Sequence, residues 1–99
     1  MDPIQEFTNS LNTAKLPANL PLHLQALWYD GTGDWRTAHD LIDQLSDADS
    51  AHVHAYLHRK EGDIWNADYW YKRAGKKRPD LSLEEEWEQL VKSFIANGI

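Results

Sequence analysis

Two histidines, His54 and His58, stand four residues apart in the run from Ala51 to His58. At helical pitch that spacing puts both imidazoles on one face, where such a pair can ligate a divalent metal such as zinc. Glu61 follows three residues later, so His54, His58 and Glu61 form one candidate metal or small-molecule site. His52 lies off that face, and the Glu of a His-Glu-x-x-His motif is missing. The favoured reading is therefore of histidines hydrogen-bonded to backbone or carboxylate, with no cofactor. His58 and Glu61 also have the makings of an acid–base pair, because imidazole titrates near neutrality. No nucleophile accompanies them, so a non-enzymatic role is favoured and catalysis stays open.

The opposite face of the same segment carries His52, Tyr56 and Arg59, with Lys60 alongside. Arg59 can grip a carboxylate or phosphate with two N–H groups, and Tyr56 offers a flat contact surface. Arg59 could equally pair with Glu61 or Asp63. A third group, Asn66, Tyr69, Trp70, Tyr71 and Arg73, is polar and aromatic. Tyr71 reads as core. Asn66, Tyr69 and Trp70 read as contacts for a partner, or Trp70 packs under the last helix.

Other chemistries are excluded. Asp30-Gly-Thr-Gly-Asp34 has Trp35 where a calcium loop requires glycine, and no Glu closes it. There is no Gly-x-Ser-x-Gly, no phosphate-cradling glycine loop and no cysteine, so thiolate metal sites and disulfides are ruled out. A net charge of −6 argues against duplex nucleic acid. The basic run Lys72, Arg73, Lys76, Lys77 and Arg78, followed by Glu84, Glu85, Glu86 and Glu88, reads as cations at one helix end and anions at the next start. The opening residues lack an apolar signal core, and no run is long enough to span a bilayer. A cytoplasmic, soluble protein without membrane partners is the expectation.

The elements that must position these groups are helices. Ile4, Phe7 and Leu11 make an apolar stripe over 3–13. Asn19 reads as an N-cap with Pro21 just inside, opening a helix through Tyr29 that Gly31-Thr-Gly33 ends. Asp34 caps the next helix, which turns Trp35, Ala38, Leu41, Ile42 and Leu45 inward. Ser50 reads as the cap of a fourth helix, from Ala51 to Lys60, stopped at Gly62. A fifth runs from Asp63 to Lys77, before Pro79. Ser82-Leu-Glu-Glu85 is a capping box for a last helix carrying Leu83, Trp87, Leu90, Val91, Phe94 and Ile95, closed by Gly98. No stretch alternates with period two, so the expected fold is all-α in one domain over 1–99. Its 99 residues, with five Trp, four Tyr and two Phe, suffice for a core.

Ala26 to Ala38 and Ala55 to Ala67 repeat one another at an offset of 29 residues, each as helix, Gly-Asp turn, helix. In the second copy Ala55, Gly62, Ala67, Tyr71, Ala74 and Pro79 follow the small, Gly, small, aromatic, small, Pro order of the tetratricopeptide repeat, which the segment resembles. The first copy departs from it, with Ile42 and Leu45 at the aromatic and small positions and no Pro. The stretch from His54 to Gly75 is also similar to short proteins with a His-Ala-x-Leu-His-Arg…Glu-Gly-Asp…Asn-Ala…Tyr-Trp-Tyr signature.

The resemblance implies two helix pairs, 19–46 and 50–78, flanked by the helix at 3–13 and a capping helix at 82–97. It implies that the first helix of each pair lines a groove, with His23, Leu27 and Asp30 joining His52, Tyr56, Arg59 and Lys60. The implied function is a protein–protein interaction module whose partner is a protein or peptide, with an acidic tail or small anion as the natural match for Arg59. A terminal helix filling the groove is the competing outcome.

Overall fold

A computed structural model describes residues 2–97. It contains six helices and, among the described residues, no strand: α1 (Pro3–Thr13), α2 (Leu22–Gly31), α3 (Trp35–Ile42), α4 (Ala48–Lys60), α5 (Ile64–Arg73) and α6 (Leu83–Ala96). The all-α expectation holds. No described helix is long and apolar enough to cross a membrane.

Local chemistry sets the helix starts. Asp34 accepts from the Thr37 amide and Asp63 from the Asn66 amide, so each Gly-Asp turn ends in a cap. Gly33 and Gly62 take φ of +92° and +89° in these turns, a region that costs an L-residue strain. Ser82 and Glu85 form the expected capping box of α6.

Four boundaries differ from expectation. Asn19 is no cap: it adopts φ +64°, and α2 starts at Leu22 behind Pro21 without a side-chain cap. Ser50 is not the cap of α4 either. Asp47, three residues earlier, takes the extended cap conformation and accepts from the Ser50 amide, which buries Ser50 in the first turn. α3 ends at Ile42, short of Leu45. α5 ends at Arg73 rather than Lys77, because Gly75 swings the chain away at φ +74°. Gly98 lies outside the described residues.

α2 with α3, and α4 with α5, pack as helical hairpins. The alanines of the repeat, Ala26 and Ala38 in one pair and Ala55 and Ala67 in the other, are fully buried, which lets the backbones approach closely. α4 is central, packing on α2, α3, α5 and α6, while α6 returns across α1, α2 and α4. The main core joins Leu24, Leu27, Ile42, Val53, Leu57 and Val91, and a smaller cluster holds Ala55, Ala67 and Tyr71. Indole N–H groups pin the helices: Trp35 donates to the Leu57 carbonyl, Trp87 to the Leu27 carbonyl and Trp28 to Ser10 Oγ.

Candidate functional site

Seven residues were expected to line a groove, and the structure divides them, with Leu27 fully buried in the main core. Arg59 and His52 turn toward Glu86 on α6, a carboxylate only 1% exposed. Arg59 Nη1 donates to Glu86 Oε1 at 2.8 Å, and Nη2 donates to the Leu81 carbonyl. The Tyr71 hydroxyl donates to Glu86 Oε2 at 2.6 Å, and His52 Nε2 lies 3.8 Å from the same oxygen. Burial and the adjacent Glu86 charge push the Tyr71 hydroxyl's pKa up, so it remains a donor. Arg59 thus spends its charge seating α6 rather than pairing with Glu61 or Asp63. His23 is also apart, its ring edge-on to Phe94 with centroids 4.4 Å apart and its pKa lowered by burial against the pull of Asp49 and Asp47.

Asp30, Tyr56 and Lys60 do converge. Asp30 is 3% exposed; it accepts from the Tyr56 hydroxyl at 2.7 Å and from Lys60 Nζ at 2.9 Å, joining α2 to α4. Burial and Asp30 raise the Tyr56 pKa, keeping that hydroxyl protonated. These three residues line a cleft of about 520 Å³ between α1, α2, α4 and α6. Leu11, Leu83 and Trp87 supply apolar walls, and Glu84 and Glu88 lie on the α6 side. Gly31 sits there because a Cβ would stand 3.0 Å from Trp87 and 3.1 Å from Leu11.

On another side of α4, His54 and His58 stack with ring centroids 4.8 Å apart, as their spacing required. His58 Nδ1 meets Glu61 Oε1 at 2.6 Å. A third imidazole joins them: His39 of α3, whose Nε2 lies 3.1 Å from His54 Nε2. Asp43, one turn beyond His39, places Oδ1 at 3.7 Å from His39 Nε2 and 3.8 Å from His54 Nε2. Trp70 closes the far side, stacked on His54 at 4.0 Å, and Trp35 stacks on His39 at 4.9 Å. Burial, then repulsion from His58 and His39, lowers the His54 pKa to about 4 against the pull of Asp43, so the ring is neutral at pH 7. Sequence reasoning missed His39 because it sits on another helix. The available signal was the His39–Asp43 spacing, which matches His54–His58.

Trp65 is the most exposed large hydrophobic side chain among the described residues, at 78%, and stacks on Tyr69, with the Arg73 guanidinium over Tyr69. Asn66 bonds Asp63 instead of facing outward freely. Comparison with protein-family models, curated proteins and solved structures finds no match to this chain.

Proposed function

We propose that the chain is a small binding module built on two tetratricopeptide-like helix pairs, which holds a segment of a partner protein in the cleft between α1, α2, α4 and α6. The observation that carries this reading is the origin of the cleft's polar wall. Asp30 and Gly31 come from the first helix of one pair, and Tyr56 and Lys60 from the first helix of the other. Those are the helices through which a tetratricopeptide stack meets its ligand.

The cleft's volume, about 520 Å³, is suited to one or two apolar side chains rather than a whole helix. Leu11, Leu83 and Trp87 favour an aliphatic or aromatic anchor. Glu84 and Glu88 favour lysine or arginine beside it, in keeping with a net charge of −6. Lys60 is neutralised by Asp30 and Arg59 by Glu86, so the acidic partner expected from Arg59 gives way to a basic one.

The test is a titration of short peptides with a central Leu or Phe flanked by Lys, followed through Trp fluorescence. Saturable binding is expected, weakened at least tenfold by Glu flanks and by Leu83→Glu. Equal affinity for Lys- and Glu-flanked peptides, or no effect of Leu83→Glu, would remove the cleft as the site.

A further inference from the structure

We propose that His39, His54 and His58, with Asp43 as fourth donor, form a binding site for a divalent transition-metal ion of the zinc class that joins α3 to α4. The donors come as two one-turn pairs, His39 on α3 with Asp43 at its C-cap and His54 with His58 on α4, and the two helices pack against each other. One pair per helix is an economical way to surround an ion, because each pair projects from a single helical face.

Three of the six donor–donor distances come near those of a tetrahedral ion. Bonds of about 2.0–2.1 Å to nitrogen set donor atoms about 3.3 Å apart along each tetrahedral edge. His39 Nε2 and His54 Nε2 are 3.1 Å apart, and Asp43 Oδ1 is 3.7 and 3.8 Å from them. A nitrogen of each of the three histidines lies within 4.8 Å of the others, so loading draws the rings together. The donor set is three imidazoles and one carboxylate with no cysteine. That chemistry suits zinc, copper, nickel or iron and disfavours magnesium and calcium, which take oxygen.

The surroundings support the same assignment. Glu61 accepts from His58 Nδ1 at 2.6 Å, which fixes the proton there and leaves Nε2 with its lone pair. Glu61 therefore orients a ligand, and is not itself the third ligand that its spacing suggested. A competing set of His58, Glu61 and Asp63 is also compact. There, however, Asp63 is engaged in capping α5 through the Asn66 amide and side chain.

His54 Nδ1 is buried without a hydrogen-bond partner, the one such side-chain atom among the described residues. A ligating His54 must carry its proton on that nitrogen, with nothing to receive it. Missing support of this kind weakens metal affinity by roughly 10- to 100-fold. The site is accordingly an exchangeable one.

The experiment uses tag-free protein stripped with chelator, titrated with Zn²⁺ by calorimetry, with Mg²⁺ as control and Co²⁺ as a spectroscopic probe of geometry. One Zn²⁺ per chain is expected, with no Mg²⁺ binding, a tetrahedral Co²⁺ spectrum and a higher Tm on loading. His39→Gln and Asp43→Asn, both at the more accessible rim, lower affinity at least tenfold with an unchanged circular dichroism spectrum. Glu61→Gln weakens binding without changing stoichiometry, and His23→Gln changes nothing. Absence of stoichiometric Zn²⁺ binding overturns the proposal. So does affinity that survives His39→Gln but falls with Asp63→Asn, which moves the ion to the other set.

Discussion

His39 and His54 point their Nε2 atoms at each other across 3.1 Å, from helices whose residues are 15 positions apart in sequence. Only one of the facing nitrogens can carry a proton at that distance, so the pair is stable when at least one ring is neutral.

Acid should therefore weaken the metal-free fold. His54 titrates near 4 in the folded chain because burial and the neighbouring His58 and His39 outweigh the pull of Asp43, against 6.5 for a free imidazole. Between these values the unfolded chain binds more protons, so stability rises with pH. The contribution is whole above pH 6.5 and is lost progressively as pH falls toward 4, an effect on the order of 2–3 kcal/mol. Urea melts with chelator at pH 7, 5.5 and 4.5 measure it, and His54→Gln should flatten the dependence. An unaltered slope in that variant would assign the loss to other groups.

Glu86 is expected to be the most sensitive position of α6. Replacing it with alanine strands the partly buried Arg59 guanidinium and the Tyr71 hydroxyl, at a cost of about 3–5 kcal/mol. Pairing Arg59→Met with Glu86→Leu should recover the share of that loss due to the stranded guanidinium, while the Tyr71 hydroxyl still lacks its acceptor. Chemical denaturation of the single and double variants decides it; a double variant no better than Glu86→Ala would refute the pairing argument.

Two glycines should respond differently to alanine. Gly62 has open space around its Cα but a φ of +89°, so Gly62→Ala should cost about 1–2 kcal/mol, with Asn tolerated better. Gly31 is helical but crowded by Trp87 and Leu11. There the gain in helix propensity, about 1 kcal/mol, offsets much of the crowding, so stability changes little while the cleft narrows. Thermal melts and peptide titrations of both variants test this contrast. Binding unchanged in Gly31→Ala would detach that glycine from the cleft.

The helices were legible because their signals are local. Asp34, Asp63 and the Ser82–Glu85 box each act within three or four residues, and the buried alanines recur with the repeat. The error at Ser50 came from choosing between neighbouring cap-type residues, of which Asp47 is the extended one, and the error at Asn19 from expecting a side-chain cap where α2 has none. The site was half legible. His54, His58 and Glu61 share a helical turn or two and were found together. His39 and Glu86 were out of reach, because their partners lie 15 and 27 residues away and only tertiary packing joins them. Glu86 also sat inside an acidic run, where its neighbours Glu84 and Glu85 are exposed while it alone is buried.

The uneven placement of α5 has a consequence for how the molecule breathes. Among the described helices its backbone packs closely on α4 alone, with only side chains such as Tyr71 reaching α6, whereas α4 is enclosed by four neighbours. Amide protons of α5 should exchange with deuterium well before those of α4, with the Tyr71–Glu86 contacts as the last tether to break. Each such opening lifts Trp70 from the face of His54, so the seam between these helices becomes the door through which solvent reaches the imidazoles.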